Sequence, residues 1–168
     1  SFSVNNYNQI TDGSFSSVNN IETGMVSGGS YGYLNNLGTV SGGSIGFIGS
    51  IDNRGSVTGG QFDGVFNNYA SISGGTFTGE LIQYTEASPI TGGDFSNLTS
   101  LTLTPGSAAW DYDTVVGGSV ANNTVISAGT FNASISNAGT ISGGSFWGGV
   151  ENLYLEPGWA GVISGGTF

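Results

Sequence analysis

The sequence predicts an all-β fold: a single-stranded parallel β-helix, or β-solenoid, of about ten imperfect coils of 14–18 residues with two or three loop insertions. Three observations predict it. A short phrase recurs along the whole chain, the apolar residues come in pieces too short for helices, and 88 of the 168 residues are Gly, Ser, Thr or Asn. We interpret residues 1–168 as one continuous β-solenoid with no visible caps.

The recurring phrase is an Ile or Val, usually Ser or Thr, Gly-Gly or a near match, one small or polar residue, and then an aromatic or aliphatic residue. Its copies are 17 residues apart on average, although two consecutive spacings, 25 and 11, are irregular. Because each period offers about three apolar positions broken by Gly, helical repeats are excluded, and short strands stacked about 4.8 Å apart fit instead. The ten copies begin at Ile10, Val26, Val40, Val57, Ile72, Ile90, Val115, Ile126, Ile141 and Ile163.

The residue types of the phrase predict the interior of the coil. We expect the Phe or Tyr side chains of successive coils to stack as a column of rings, with the Ile or Val five residues earlier filling the neighbouring wall. The Gly-Gly pair supplies a backbone conformation with positive φ, or a close approach at a corner, where a Cβ would clash.

Asparagine residues, often in pairs, recur between the copies of the phrase. Asparagine tolerates the left-handed conformation, and its amide can hydrogen-bond an identical amide in the coils above and below. We therefore interpret these residues as structural corners and predict a ladder of stacked side chains. The predicted ladder residues are Asn20, Asn36, Asn53, Asn68 and Asn123.

Three stretches lengthen a coil and predict loop insertions near 81–89, 101–113 and 153–161. The second and third share the pattern Leu-x-Leu-x-Pro-Gly-x-Ala and hold two of the three Trp residues. Two interpretations remain open. In one, exposed aromatic side chains bind sugars or a neighbouring molecule; in the other, the Leu-x-Leu pieces are wall strands and the Trp rings fold back over the solenoid. The candidate surface-contact residues are Trp110, Tyr112, Tyr154 and Trp159.

The composition excludes several functional classes. The net charge is −10 and Arg54 is the single cation, so no basic face can hold nucleic acid, and no apolar run approaches the roughly 18 residues of a membrane span. Cys, His and Lys are absent, which excludes catalysis built on those residues and the common zinc, copper and haem ligand sets. Paired carboxylates such as Asp111 and Asp113 remain available for glycoside hydrolysis or for a cation, but without a motif behind them. We predict no enzyme, no catalytic residues, no metal and no cofactor.

With its Gly-Gly-x-Phe and Asn-Asn patterns, the chain resembles the β-helical passenger regions of bacterial surface and secreted proteins: autotransporter and filamentous-haemagglutinin-like adhesins, and large repeat exoproteins. The resemblance covers essentially the whole chain and is one of composition and periodicity. It implies an extracellular or cell-surface rod that works in attachment or in building an external fibre or matrix. The alternative is a carbohydrate-binding module or a glycan-active β-helix that uses the loop aromatics and carboxylates.

The two ends of the sequence match the same phase of the phrase, because Ser1-Phe2 and Thr167-Phe168 both correspond to its last two residues. An uncapped coil exposes unpaired backbone groups and an open core. We therefore expect either a segment of a longer rod or subunits that stack head to tail into a filament. Glycans and other surface proteins are further candidate partners. The candidate assembly residues are Phe2, Val4, Ile10, Ile163 and Phe168.

Overall fold

A computed structural model describes residues 3–84, 90–110, 112, 114–156 and 159–168, apart from the side chains at 47, 48, 154–156 and 159. It confirms the predicted fold class: short strands stack in parallel, coil upon coil, as a β-solenoid. Of the pairings between described strands, only that of Tyr154–Glu156 with Trp159–Ala160 is antiparallel. Within the described ranges no helix is long and apolar enough to cross a bilayer.

The strands are short because turn residues interrupt them in every coil, and most have two to seven residues. In chain order they are β1 Ser3–Asn6, β2 Gln9–Ile10, β3 Ser14–Asn20, β4 Met25–Val26, β5 Ser30–Asn36, β6 Thr39–Val40, β7 Ser44–Asn53, β8 Ser56–Val57, β9 Gln61–Phe62, β10 Val65–Asn68, β11 Ser71–Phe77, β12 Glu80–Gln83, β13 Ile90–Asp94, β14 Ser100–Leu103, β15 Val115–Val116, β16 Ser119–Asn122, β17 Val125–Ile126, β18 Thr130–Phe131, β19 Ser134–Asn137, β20 Thr140–Ile141, β21 Ser145–Phe146, β22 Val150–Asn152, β23 Tyr154–Glu156, β24 Trp159–Ala160 and β25 Val162–Ile163.

Three walls enclose the core, and each coil contributes one inward apolar side chain to each wall. Wall one consists of ten strands joined by nine parallel pairings, so the described chain holds ten stacked coils. Its inward residues are Val4, Val18, Leu34, Ile51, Phe66, Leu81, Leu101, Val120, Ile135 and Val150. We number the coils one to ten from these residues.

Walls two and three follow wall one in every coil. Wall two carries the Ile or Val of the phrase and wall three its aromatic residue, five positions later. Between the end coils, both columns are buried against each other and against wall one. Wall two holds Ile10, Val26, Val40, Val57, Ile72, Ile90, Trp110, Ile126, Ile141 and Ile163. Wall three holds Phe15, Tyr31, Ile45, Phe62, Phe77, Phe95, Val116, Phe131, Phe146 and Phe168.

Aromatic rings stack along wall three at the spacing of the coils. Phe77 lies between its neighbours, with ring centroids 4.9 Å from Phe62 and 4.8 Å from Phe95 and small interplanar angles. Phe131 and Phe146 stack in the same way at 5.1 Å. Offset stacking of this kind adds about 0.5–1.5 kcal/mol per pair to the hydrophobic gain from burial.

The corner between walls two and three needs the Gly-Gly pair. A Cβ at Gly28 would collide with the carbonyl oxygen of Thr11 in the coil below. Gly29 has φ of 95°, a conformation that residues with a side chain rarely adopt. The pair therefore lets each coil turn while its backbone stays in contact with the previous coil.

Coil seven does not follow the phase that the repeated phrase predicts. Val116, not Val115, points inward, and it lies in wall three between Phe95 and Phe131. The wall-two position of this coil is taken by Trp110, which pairs with Ile126. The seventh copy of the phrase, at Val115, is therefore a coincidence of sequence, and with Trp110 in wall two the irregular spacings of 25 and 11 become 20 and 16.

Candidate functional site

A ladder of buried amides runs along the rod, two residues after the inward residue of wall one. Nδ2 of Asn20 donates to Oδ1 of Asn36 at 2.7 Å, Asn36 donates to Asn53 at 2.8 Å, and Asn53 donates to Asn68 at 2.8 Å. Asn6 extends this run downwards and Gln83 extends it upwards. A second run joins Asn122, Asn137 and Asn152, with distances of 2.7 Å.

The ladder amides also bind the backbone. Asn20 donates to the carbonyl oxygen of Gly24 at 3.1 Å, and Oδ1 of Asn53 accepts from the backbone N–H of Gly55 at 3.3 Å. Asn20, Asn53 and Asn68 are fully buried. A buried amide is stabilising only when it is hydrogen-bonded, so each ladder residue fixes both the turn that follows it and the register of the next coil.

The predicted ladder residue Asn123 is wrong by one position. Asn122 occupies the ladder, because it lies two residues after Val120, as Asn137 does after Ile135. Asn123 instead donates to the carbonyl oxygen of Leu103 at 3.1 Å. In the other Asn pairs the second residue points inward. The pair Asn122-Asn123 begins one residue later relative to the inward residue of wall one, so its first residue points inward instead.

Between the two ladder runs, coil seven has Leu103 at the ladder position. The same coil holds two of the buried side-chain atoms without a hydrogen-bond partner in the described chain, Oγ of Ser107 and Nε1 of Trp110. Coil seven therefore differs from its neighbours in walls two and three, at the ladder position and in its polar contacts.

The candidate assembly residues lie in the first and tenth coils. Val4 and Ile10 pack in the core, Ile163 is partly exposed, and Phe2 lies outside the described residues. Phe168 stacks one face on Phe146 at 5.0 Å and leaves 64% of its surface exposed.

Of the four candidate surface-contact residues, the structure describes the side chains of Trp110 and Tyr112. Trp110 is only 3% exposed, so the prediction that it lies on the surface is wrong: wall two needs a large side chain there, beside the small Val116. Tyr112 is half-buried and meets the ring of Phe95 edge-on at 6.3 Å. Leu101 belongs to wall one, so this insertion begins after Leu103. Tyr154 and Trp159 lie on the strands of the antiparallel hairpin, and their side chains are outside the description.

Trp147 is the exposed tryptophan that the sequence analysis missed. It follows Phe146 of wall three and is 77% exposed. The sequence does indicate that Trp147 is exposed: side chains alternate in direction along a strand, so the residue next to an inward Phe points outward. Asn132 occupies the equivalent position in the coil below, since both residues donate their backbone N–H to wall three.

A cluster of tyrosines surrounds Arg54 beside the outer surface of wall one. The hydroxyl of Tyr33 donates to Asp52 at 2.7 Å, and Nδ2 of Asn67 donates to the other carboxylate oxygen at 2.8 Å. The guanidinium carbon of Arg54 lies 4.4 Å from the ring centroid of Tyr69. We call these residues, together with Tyr84, the tyrosine cluster.

The pKa values of the cluster follow from these contacts. The hydrogen bond to Asp52, with burial, raises the pKa of Tyr33 to about 12. Burial, followed by the neighbouring Tyr84, raises the pKa of Tyr69 above its ordinary value, although Arg54 opposes the shift. Both phenols are therefore protonated at neutral pH, and Tyr33 acts as a donor.

Two exposed carboxylates of the described chain accept hydrogen bonds from nearby hydroxyl groups. The hydroxyl and backbone N–H of Ser96 donate to Asp94 and lower the pKa of that carboxyl. Thr78 donates to Asp63. In the ranges given above, no three metal-binding side chains come together, and Asp111 and Asp113 lie outside them.

Comparison with protein families, with curated proteins and with solved structures finds no match to this chain.

Proposed function

We propose that this chain is a non-enzymatic structural or adhesive β-solenoid of the kind found in bacterial extracellular repeat proteins. It works at a microbial surface or in its matrix, either as a segment of a longer rod or as the subunit of a head-to-tail filament. The observation that carries the proposal is the asparagine ladder, because it uses buried polar groups for contacts between coils.

The ladder suits a structural role for a physical reason. Asn36 and Asn53 each hold the coil above and the coil below, so neighbouring coils are locked at a fixed rotation and spacing. Each coil contacts mainly its neighbours, and the stability of such a stack grows with the number of coils. A rod built in this way is stiff along its axis, as a fibre or an adhesin stalk requires.

The repetition of the same three columns supports the proposal of end-to-end association. The exposed face of Phe168 lies where the wall-three ring of a following coil would stack on it. At the other end of the rod, Val4 and Ile10 begin the columns of walls one and two. A second copy stacked on this face would continue the aromatic column. Such a contact joins different surfaces of the two copies and therefore grows a filament.

The test is negative-stain electron microscopy with sedimentation velocity over a range of concentrations and of salt. We expect filaments one solenoid wide that lengthen with concentration, and more so at high salt, because salt screens the repulsion between chains of charge −10. Phe168→Asp is expected to abolish them, whereas Met25→Asp, at an exposed position on the side of the rod, is the matched control. Monomers under all conditions, or an equal effect of the two variants, would contradict association through the ends.

A carbohydrate-binding module is the second candidate, favoured by the exposure of Trp147. A flat, exposed indole beside polar side chains is a common platform for sugar rings. A saturable fluorescence change with a neutral polysaccharide that disappears in Trp147→Ala would support this function. The Tyr7→Ala variant, at an exposed aromatic position of coil one, serves as the control.

A further inference from the structure

Tyr69 and Tyr84 occupy the same position in adjacent coils. Each directly follows a ladder residue, and their backbone N–H groups donate to Asn53 and Asn68 respectively. Their rings are stacked with centroids 4.4 Å apart and an interplanar angle of 9°. Among the described tyrosines, this is the pair in ring contact with each other; Tyr31 and Tyr112 contact phenylalanines instead.

The surroundings hold this pair in place. Arg54 lies over one face of Tyr69 and Tyr84 lies over the other, so the ring of Tyr69 is sandwiched. Both tyrosines are half-buried. The ladder below them fixes the spacing of the two coils, so the rings are held together without contacts from any partner.

From this geometry we propose that Tyr69 and Tyr84 are a site of oxidative modification, at which an ortho–ortho carbon–carbon bond joins coils five and six as an intramolecular dityrosine. The proposal is independent of end-to-end association. It gives this cysteine-free chain a covalent link between coils that a disulfide cannot supply.

The reaction balances with hydrogen peroxide and a haem peroxidase as the oxidant. Each phenol loses one electron and its hydroxyl proton, giving two phenoxyl radicals. The radicals couple through one ortho carbon on each ring, and both ortho hydrogens then move to the oxygens, which restores the two aromatic rings. The protein loses two hydrogen atoms in total, and one peroxide is reduced to two molecules of water.

The raised pKa of Tyr69 bears on how the radical forms. Because the phenol is protonated at neutral pH, formation of the neutral radical requires the loss of both an electron and the hydroxyl proton. The carboxylate of Asp52, which accepts the hydroxyl of Tyr33, lies in the same cluster. The cross-link closes a loop of 15 residues between adjacent coils, which restricts the unfolded chain as a disulfide does.

The experiment treats the full chain with peroxidase and hydrogen peroxide at several dilutions, followed by dityrosine fluorescence, intact mass and peptide mapping after pepsin digestion. We expect one cross-link between the peptides of Tyr69 and Tyr84, a mass lower by two hydrogen atoms, and a yield that does not depend on protein concentration. The cross-linked chain is expected to unfold at a higher urea concentration than the untreated chain.

Tyr84→Phe and Tyr69→Phe keep the stacked ring and are each expected to reduce this product at least tenfold, with an unchanged circular dichroism spectrum. Tyr7→Phe removes an exposed phenol that has no ring partner among the described residues; it is the matched control and is expected to keep the full yield. A yield that falls with dilution and disappears in Tyr7→Phe would overturn the proposal, since the coupling would then be intermolecular. Absence of dityrosine from the wild-type chain would overturn it as well.

Discussion

Coil five and coil seven have the same three walls but fill walls two and three with side chains of different size. In coil five, Ile72 and Phe77 occupy walls two and three, and Asn68 occupies the ladder. In coil seven the large side chain, Trp110, is in wall two and the small one, Val116, is in wall three. The total volume is therefore kept although the positions are exchanged. The comparison teaches that a coil is constrained by the space between its neighbours rather than by the identity of each residue.

The polar contacts of the two coils differ more sharply. Asn68 of coil five donates to both a ladder side chain and the carbonyl oxygen of Ala70. In coil seven Leu103 makes no such bond, and Ser107 and Trp110 each leave a buried polar atom without a partner in the described chain. Because coils stack in one dimension, we expect coil seven to be the weakest point between coils one to six and coils eight to ten.

The largest effect is expected in the aromatic column. Phe77→Ala removes the ring between Phe62 and Phe95 and leaves a cavity, so the free energy of unfolding should fall by about 3–5 kcal/mol. Urea unfolding measures it. Trp147→Ala, at an exposed site, is the control and should change the free energy of unfolding by no more than about 0.5 kcal/mol. Equal losses in the two variants would mean that Phe77 is not in the core.

The ladder should give the next largest effect. Asn53→Leu removes the acceptor of Asn36 and the donor to Asn68, and it should lower the free energy of unfolding by about 1–3 kcal/mol. Leu103→Asn places an amide between Gln83 and Asn122 at the same position of coil seven. We expect it to cost less than Asn53→Leu, because the new amide finds a ladder residue beside it. The reverse order in urea unfolding would show that the ladder does not stabilise the stack.

The smallest expected effect is on stability at alkaline pH. Burial, with Asp12 nearby, raises the pKa of Tyr31 to about 12, while an unfolded chain would have an ordinary value of about 10. Between these values the unfolded chain loses the proton first, so the stability contributed by this residue is complete below pH of about 10 and is lost as the pH rises through about 12. Urea midpoints across this range should fall less steeply in Tyr31→Phe than in wild type. A matched Tyr7→Phe variant with the same reduced slope would contradict this assignment.

The sequence predicts the fold well because its signals are periodic. A column of stacked side chains can be predicted from the sequence when similar residues recur at a similar spacing. Val40, Val57 and Ile72 do so, and all three lie in wall two. The periodicity fails at coil seven because Trp110 and Val116 exchange size between two walls, while Val115 begins an accidental copy of the phrase.

The surface is less predictable than the walls. The sequence pattern places Trp110 in an insertion, where an exposed aromatic is expected, but its ring fills the core. Trp147 and the stacked Tyr69 and Tyr84 lie on regular strands or directly after them, at outward positions. Period-two alternation indicates that Trp147 points outward, but the stacking of side chains from adjacent coils depends on the register between coils. The register between coils is fixed by the ladder contacts, which only the structure shows.

In coil seven the large side chain lies in wall two and the small one in wall three, the reverse of coil five. A double-mutant cycle with Trp110→Ile and Val116→Phe, measured by urea unfolding, tests this arrangement most directly. Trp110→Ile should cost about 2–4 kcal/mol through the cavity it leaves, and Val116→Phe about 1–3 kcal/mol through overpacking. The double variant restores the arrangement of coil five, so its loss should be smaller than the sum by about 1–3 kcal/mol. Additive losses would mean that the two side chains do not share one space, and would contradict the register assigned to coil seven.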